Sequence, residues 1–193
     1  MEDIFLSIIV SVHPAVFLDR DGVIIENVPA YVRSWNDVII FPQALEALAC
    51  LRDSPYKVII VTNQSAIGRG LITMQEAEAI NHKLNQVVNK AGGRIDAFYI
   101  CPHTPEMHCV CRKPEPGLIL QAAREKHLDL SRSILIGDAL SDLAAGQAAG
   151  ILKNILVLTG RGLKQINLPE RLNYKPFLVY ASLKEALVSE LAC

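Results

Sequence analysis

The chain has 193 residues, 51% of them hydrophobic and 20% charged, and a formal net charge of -1. That length and composition suffice for one domain with its own core and exclude a disordered chain, and the near-neutral charge excludes the basic field expected of a nucleic-acid binder. Of its five cysteines, Cys50, Cys101, Cys109, Cys111 and Cys193, three fall in one short stretch, a pattern that argues against a secreted disulfide framework and for a reducing, cytoplasmic setting.

In chain order, the first feature is an apolar run over 4–12, too short to span a bilayer. It follows Glu2 and Asp3, where a secretory signal would carry Lys or Arg, so residues 1–13 read as an N-terminal extension or an extra strand, with no membrane partner. Buried strands are then expected at 15–18, 58–61, 97–100, 133–136 and 155–158, each β-branched or apolar and bounded by polar or turn residues. Helices are expected between them at 42–52, 116–126, 141–149 and 183–191. A further helix is marked by Ala77, Ile80, Leu84, Val87 and Val88 at helical spacing, with Thr73 and Glu76 as a capping box before them. Gly92 and Gly93 end it. A last strand at 177–180 completes the sheet edge. This alternation predicts an α/β fold, a Rossmann-like, doubly wound parallel sheet in a single domain over 1–193.

In such sheets, ligands sit beyond the carboxyl ends of the strands. Polar clusters occur at those ends: Asp19-Arg20-Asp21-Gly22, Thr62-Asn63-Gln64-Ser65, Cys101 to Lys113, and Gly137-Asp138. On an extended backbone Asp19 and Asp21 point the same way, so their carboxylates converge and call for a cation; Mg²⁺, which prefers oxygen ligands, is the natural guest. Asp138 adds a third carboxylate after a later strand, and Asp142 follows four residues on, at a spacing that shares a helix face. Thr62, Asn63 and Ser65 offer donors suited to phosphate oxygens, and Lys113, extended before Pro114, aims a charge at the same place. Singly, each has a plain structural reading as a helix cap or turn; the ordered set at strand ends does not.

A second constellation is Cys101-Pro-His103 with Cys109-Val-Cys111. Each pair presents both ligands on one side of an extended segment, and a loop between them closes a tetrahedral site typical of structural Zn²⁺. His108 is the one nearby substitute. Its four protein ligands fill the coordination sphere, so the zinc loop over 101–111 is expected to shape the site and take no part in chemistry. Trp35 and Cys50 read as packing residues, Cys50 in the core.

These motifs, in the contexts FLDRDGV, VTNQSAIGRG and CRKPEPG, resemble the haloacid dehalogenase superfamily of phosphatases. Within it the chain is similar to the branch of heptose bisphosphate and histidinol-phosphate phosphatases, which carries the same Cys-x-His and Cys-x-Cys loop. The resemblance implies a Mg²⁺-dependent phosphoric monoester hydrolase with Asp19 as nucleophile and Asp21 as general acid and base. It implies Mg²⁺ on the Asp19 carboxylate, the Asp21 main-chain carbonyl and Asp138, and Thr62 and Lys113 on the transferring phosphoryl group. Asn27, Tyr31, Asn63, Gln64, Ser65 and Arg112 match positions that hold the substrate, and Asp142 would stand behind the metal ligands.

The interval from Gly22 to Val58 is too short for the helical cap domain that many members insert, so the expected enzyme is capless, monomeric and open to a small phosphorylated sugar. Ala139 stands where heptose bisphosphatases commonly carry Lys. The preferred substrate is D-glycero-D-manno-heptose 1,7-bisphosphate, because Arg112 offers a guanidinium fork for a second anion. Histidinol phosphate is the alternative within the same chemistry, and a non-catalytic protein binding a phosphorylated metabolite is the alternative outside it. A nucleic-acid partner finds no clustered basic residues to support it.

Overall fold

The structure is a computed structural model that describes residues 12–192. The expected N-terminal extension therefore lies outside the described residues except for Val12 and His13. His13 donates its main-chain N–H to His127 at 3.1 Å and bridges to Leu128, which ties the start of the described chain to the sheet's lower rim.

Among the described residues, six strands form one sheet: β1 (Ala15–Leu18), β2 (Lys57–Asn63), β3 (Ala97–Cys101), β4 (Ile134–Gly137), β5 (Lys153–Val157) and β6 (Leu178–Tyr180). Their order is β3-β2-β1-β4-β5-β6, and every pairing is parallel. The helices are α1 (Pro42–Cys50), α2 (Ser65–Gly68), α3 (Met74–Lys90), α4 (Gly117–Lys126), α5 (Leu140–Ala148), α6 (Gly162–Gln165) and α7 (Leu183–Leu191). The short turns α2 and α6 carry no helical periodicity and were not expected.

Because successive side chains of a strand face opposite ways, each strand feeds two cores. Val16, Leu18, Val58 and Ile60 pack on one face with Leu48 of α1, Ile80 and Leu84 of α3 and Leu187 of α7. Phe17, Ile59, Val61 and Leu135 pack on the other with Leu118, Ile119 and Ala122 of α4 and Ala145 of α5. The central strands β1, β2 and β4 are thus covered on both sides, which is why they read as continuous apolar runs and not as alternating ones.

Helix α3 begins as its sequence predicts. Thr73 Oγ1 accepts from Glu76 N at 3.1 Å, and Glu76 Oε2 accepts from Thr73 N at 2.7 Å. Between β1 and β2 the chain makes only two isolated bridges, a 3-10 turn at Trp35–Asp37 and α1. No cap domain is inserted there. Trp35 packs against the core and lies under Lys83, whose Nζ is 4.9 Å from the ring centre. Cys50, expected in the core, is instead exposed: it continues the row of Pro42 and Glu46 on the outer face of α1, while the apolar stripe runs through Ala44, Ala47, Leu48 and Leu51.

The strand order reverses direction between β1 and β4. A crevice opens at such a switch point beyond the carboxyl ends of the strands, and this is where the polar clusters lie.

Candidate active site

Asp19 leaves β1 at its carboxyl end and is 5% exposed. Lys113 Nζ lies 2.8 Å from Asp19 Oδ1 and 2.6 Å from Asp142 Oδ1, and it donates to Val61 O at 2.8 Å. The ammonium group therefore has an acceptor for each of its protons, and both carboxylates share one buried charge. Lys113 comes from the loop after β3, and its main chain is held by Asn63. Its N–H donates to Asn63 Oδ1 at 3.1 Å, and Asn63 Nδ2 donates to Lys113 O at 3.0 Å. Both ends of the Asn63 amide thus position Lys113, although Asn63 also borders the cavity. The peptide between Lys113 and Pro114 is cis.

Asp21 was expected to converge with Asp19. Its carboxylate turns away instead, toward Arg20 Nη2 at 3.1 Å, Gln64 Nε2 at 2.7 Å and Thr62 Oγ1 at 3.5 Å. Gln64 Nε2 also donates to Thr62 Oγ1 at 2.7 Å, so these two side chains form one bracket around the carboxylate. Arg20 is 1% exposed and its Nη1 reaches Asn81 Oδ1 of α3 at 2.9 Å, which braces the loop against the helix layer.

The carboxylates that do converge are Asp19, Asp138 and Asp142, whose ligand atoms all lie within 4.8 Å of one another. Asp138, after β4, is fully buried. Asp142 does more than share a helix face: as an early residue of α5 its Oδ2 accepts from Ala139 N at 3.0 Å. The backbone is thinned to let this happen. At Gly22, with φ of 89°, a Cβ would stand 2.0 Å from Asp138 Oδ2; at Gly160, with φ of 57°, it would stand 2.4 Å away. No side chain larger than hydrogen fits at either place.

Burial pushes the Asp19 carboxyl up to about 7, against the pull of Lys113 and with further upward pressure from Asp142, Asp138 and Asp21. Burial by itself would lower the Lys113 pKa, but Asp142 and Asp19 outweigh it and hold the ammonium well above its ordinary range. The site thus carries more buried negative charge than Lys113 neutralises. Three clustered carboxylates, balanced only in part by Lys113 and by the half-exposed Arg161 on Asp138, fit a hard divalent cation such as Mg²⁺.

Asp19, Asp142 and Lys113 floor a cavity of about 710 Å³, bordered also by Asn27, Tyr31, Ser65, Arg69, Arg112 and Arg161. Asn27 Nδ2 donates to Asp138 Oδ2 at 2.6 Å. Tyr31, in the left-handed region with φ of 67°, borders the cavity half-exposed. Arg112 Nη1 donates to His103 O at 3.0 Å, which fastens this guanidinium to the neighbouring Cys/His loop.

Arg69 and Arg161 were not singled out from the sequence. Arg161 donates through Nη2 to Asp138 Oδ1 at 2.8 Å and through Nε to Asp138 Oδ2 at 3.2 Å. It lies on the loop after β5, and only the pairing of β5 with β4 brings it to Asp138. A lone Arg among glycines gives no signal in sequence.

In the Cys/His loop, Cys101, His103, Cys109 and Cys111 present ligand atoms within 4.8 Å of one another. The Sγ atoms are 3.2 Å (Cys101–Cys111), 3.4 Å (Cys109–Cys111) and 3.6 Å (Cys101–Cys109) apart, and His103 Nδ1 is 3.2 Å from Cys111 Sγ. A tetrahedral Zn²⁺ with Zn–S of about 2.3 Å needs sulfurs roughly 3.8 Å apart, so the set fits zinc with a small expansion. His108 is outside this group; it sits in the left-handed region at the turn that follows the 3-10 helix Pro105–Met107.

A family model described as "HAD-hyrolase-like" matches residues 110–186. The chain is 39% identical over 158 residues to the D-glycero-beta-D-manno-heptose-1,7-bisphosphate 7-phosphatase of Bordetella bronchiseptica, covering 80% of this chain and 88% of the relative. It is 41% identical over 157 residues to the enzyme of the same name from Helicobacter pylori, with the same coverage of both chains. Among solved structures, the D,D-heptose 1,7-bisphosphate phosphatase from B. bronchiseptica, complexed with magnesium and phosphate, superimposes with a TM-score of 0.83 at 36% identity, over 93% of this chain and 98% of that one. The enzyme of that name from Burkholderia thailandensis superimposes with a TM-score of 0.68 at 34% identity, over 93% and 99%. Together with the six-stranded parallel sheet and the acidic site at its switch point, these likenesses settle the kinship: the chain is a phosphoric monoester hydrolase and belongs to the heptose-1,7-bisphosphate 7-phosphatase family of the haloacid dehalogenase-like hydrolases.

Proposed function

We propose that the chain removes the 7-phosphate of D-glycero-D-manno-heptose 1,7-bisphosphate through an aspartyl-phosphate formed on Asp19. The observation that carries the reading is the buried Asp19–Lys113–Asp142 network beside Asp138, on the floor of an open, cation-rimmed cavity. Relatives 39% and 41% identical to it over 80% of the chain carry the name of this activity, with the beta anomer specified. Their substrate is the basis for the sugar named here.

In this reading an Asp19 oxygen attacks phosphorus and the P–O bond to the sugar breaks. Asp21, bracketed by Gln64 and Thr62, gives its proton to the leaving oxygen and then takes one from the water that hydrolyses the aspartyl-phosphate. Phosphate leaves and the Asp19 carboxylate returns. Lys113 and Thr62 steady the charge on the transferring phosphoryl group, and Arg112 with Asn27, Tyr31 and Ser65 holds the sugar end. Mg²⁺, held by Asp19, Asp138 and the Asp21 carbonyl, would supply positive charge against the phosphoryl oxygens. Zn²⁺ on Cys101, His103, Cys109 and Cys111 would keep the Arg112–Lys113 segment in place. A cytoplasmic location suits three thiols kept reduced for a metal. No helix among the described residues is long and apolar enough to cross a membrane.

The test is phosphate release with Mg²⁺ from both heptose bisphosphate anomers, histidinol phosphate and fructose 1,6-bisphosphate, with Asp19→Asn alongside. Turnover of one heptose anomer above all others, lost in Asp19→Asn, is the expected result. Preference for histidinol phosphate would keep the chemistry and overturn the substrate. Equal rates for wild type and Asp19→Asn would overturn the chemistry.

A further inference from the structure

The acidic site holds two cations in different ways. Lys113 is 3% exposed and engaged with Asp19, Asp142 and Val61 O, so it has no direction in which to leave. Arg161 pairs with a carboxylate that has no solvent access at all, yet its own side chain is 51% exposed and borders the cavity. One end of this ion pair is fixed and the other is free to swing.

The two oxygens of Asp138 are held differently as well. Oδ2 accepts from the Asn27 side-chain Nδ2 at 2.6 Å and from the Arg161 main-chain N–H at 2.8 Å, neither of which moves with the guanidinium, and from Arg161 Nε at 3.2 Å. Oδ1 is held by Arg161 Nη2 at 2.8 Å, its one partner among the described residues. A swing of the guanidinium would therefore uncover Oδ1 while Asn27 and the main chain keep the carboxylate in place. A buried carboxylate cannot be left without a counter-charge, so such a swing is favourable only when another cation arrives. The neighbouring Asp19 carboxylate, whose ligand atom lies within 4.8 Å of that of Asp138, is where that cation would be shared. Ala139, next to Asp138, supplies no charge of its own.

We propose that Arg161 is an exchangeable counter-ion: it neutralises Asp138 while no divalent cation is bound, yields Oδ1 when one arrives, and then lends its charge to the phosphorylated substrate in the same cavity. This rests on the reading of Asp19 and Asp138 as metal ligands. Arg161 thus makes metal and substrate binding sequential. It competes with the metal and assists the substrate, so its removal changes the two affinities in opposite directions. A merely structural residue would weaken both.

The experiment is titration calorimetry of Mn²⁺ into metal-stripped, full-length protein with no substrate, for wild type, Arg161→Gln, Arg161→Ala and Asp138→Asn. KM for the best substrate is then measured at saturating metal. Arg161→Gln keeps a hydrogen-bond donor near Asp138 and guards against a variant that fails to fold. If the guanidinium occupies Asp138 about nine-tenths of the time, its loss tightens Mn²⁺ binding about tenfold. The KM should rise by a similar factor, with kcat changed less than about threefold. Unchanged or weaker Mn²⁺ binding in both Arg161 variants overturns the inference, as does an unchanged KM. Mn²⁺ binding that survives intact in Asp138→Asn, or is absent in wild type, overturns the metal reading itself, and the inference falls with it.

Discussion

The Asn63 amide and the Lys113 main chain exchange a closed pair of hydrogen bonds, at 3.0 and 3.1 Å, across fifty positions of sequence. The pair fastens the end of β2 to the loop that carries the site's central cation. Asn63 acts on Lys113 before it acts on any ligand. Asn63→Ala should therefore lower kcat by about a hundredfold, as small misplacements of a catalytic group do, with a much smaller change in KM. Steady-state kinetics check this; a rise in KM with kcat intact would make Asn63 a substrate contact only.

Asp142 shares the Lys113 charge with Asp19 from a position that is 1% exposed. Asp142→Asn leaves a buried ammonium with one carboxylate where it had two. The expected loss of stability is about 3 kcal/mol, near the lower end for a broken buried ion pair because Asp19 remains. Urea unfolding of the metal-free protein measures it, and a change below about 0.5 kcal/mol, typical of surface sites, would place the Asp142 charge outside the network.

The Cys/His loop gives a prediction in stoichiometry. Purified protein should carry about one zinc per chain, and Cys109→Ser should lower that occupancy sharply. Since Arg112 is tied to His103 O, zinc loss should raise KM more than it lowers kcat. Metal analysis with parallel kinetics tests both, and full activity in a zinc-free protein would disconnect the loop from the substrate.

The α3 capping box carries a pH signature. Hydrogen bonds from the Thr73 main chain and then its hydroxyl hold the Glu76 carboxyl below its ordinary 4.5. A depressed carboxyl stabilises the fold above its unfolded pKa, and that contribution fades as pH falls through the folded value. Glu76→Gln should therefore lower Tm near neutrality, with the gap to wild type narrowing as pH falls below the ordinary 4.5. Thr73→Ala, which removes both the cap acceptor and a donor to the Glu76 carboxylate, should cost about 1 kcal/mol near neutrality and less in acid. A Glu76→Gln gap of equal size near neutrality and in acid would sink the assignment.

Much of this was legible in the sequence, for a physical reason. A strand buried on both faces has few polar residues, so the polar residues in its last positions or just past its end stand out, as Thr62, Asp19 and Asp138 do. The Cys-x-His and Cys-x-Cys spacings announce themselves in the same way. Illegible were the features that exist only through lateral packing. Arg161 meets Asp138 because β5 lies beside β4, and the orientation of Asp21 depends on Gln64 and Arg20, neither of which its spacing from Asp19 reveals. Cys50 shows a different limit: a small apolar side chain is no marker of the buried face, and at four residues from the exposed Glu46 it falls on the outer side of α1.

The position of β1 has one more consequence. It lies between β2 and β4, and Ala15 N donates to Ser133 Oγ at 2.9 Å across 118 positions of sequence. As the chain is synthesised, β1 can gain its β2 neighbour early, but its other edge stays unpaired until residues 134–137 have emerged. Asp19 likewise waits for Lys113 before its charge has a buried counterpart. Such long-range closure is slow, and an open central edge is prone to wrong pairing meanwhile. The nascent chain is thus most vulnerable to aggregation between completion of β3 and arrival of β4, and truncations ending in that interval are the fragments to expect in inclusion bodies.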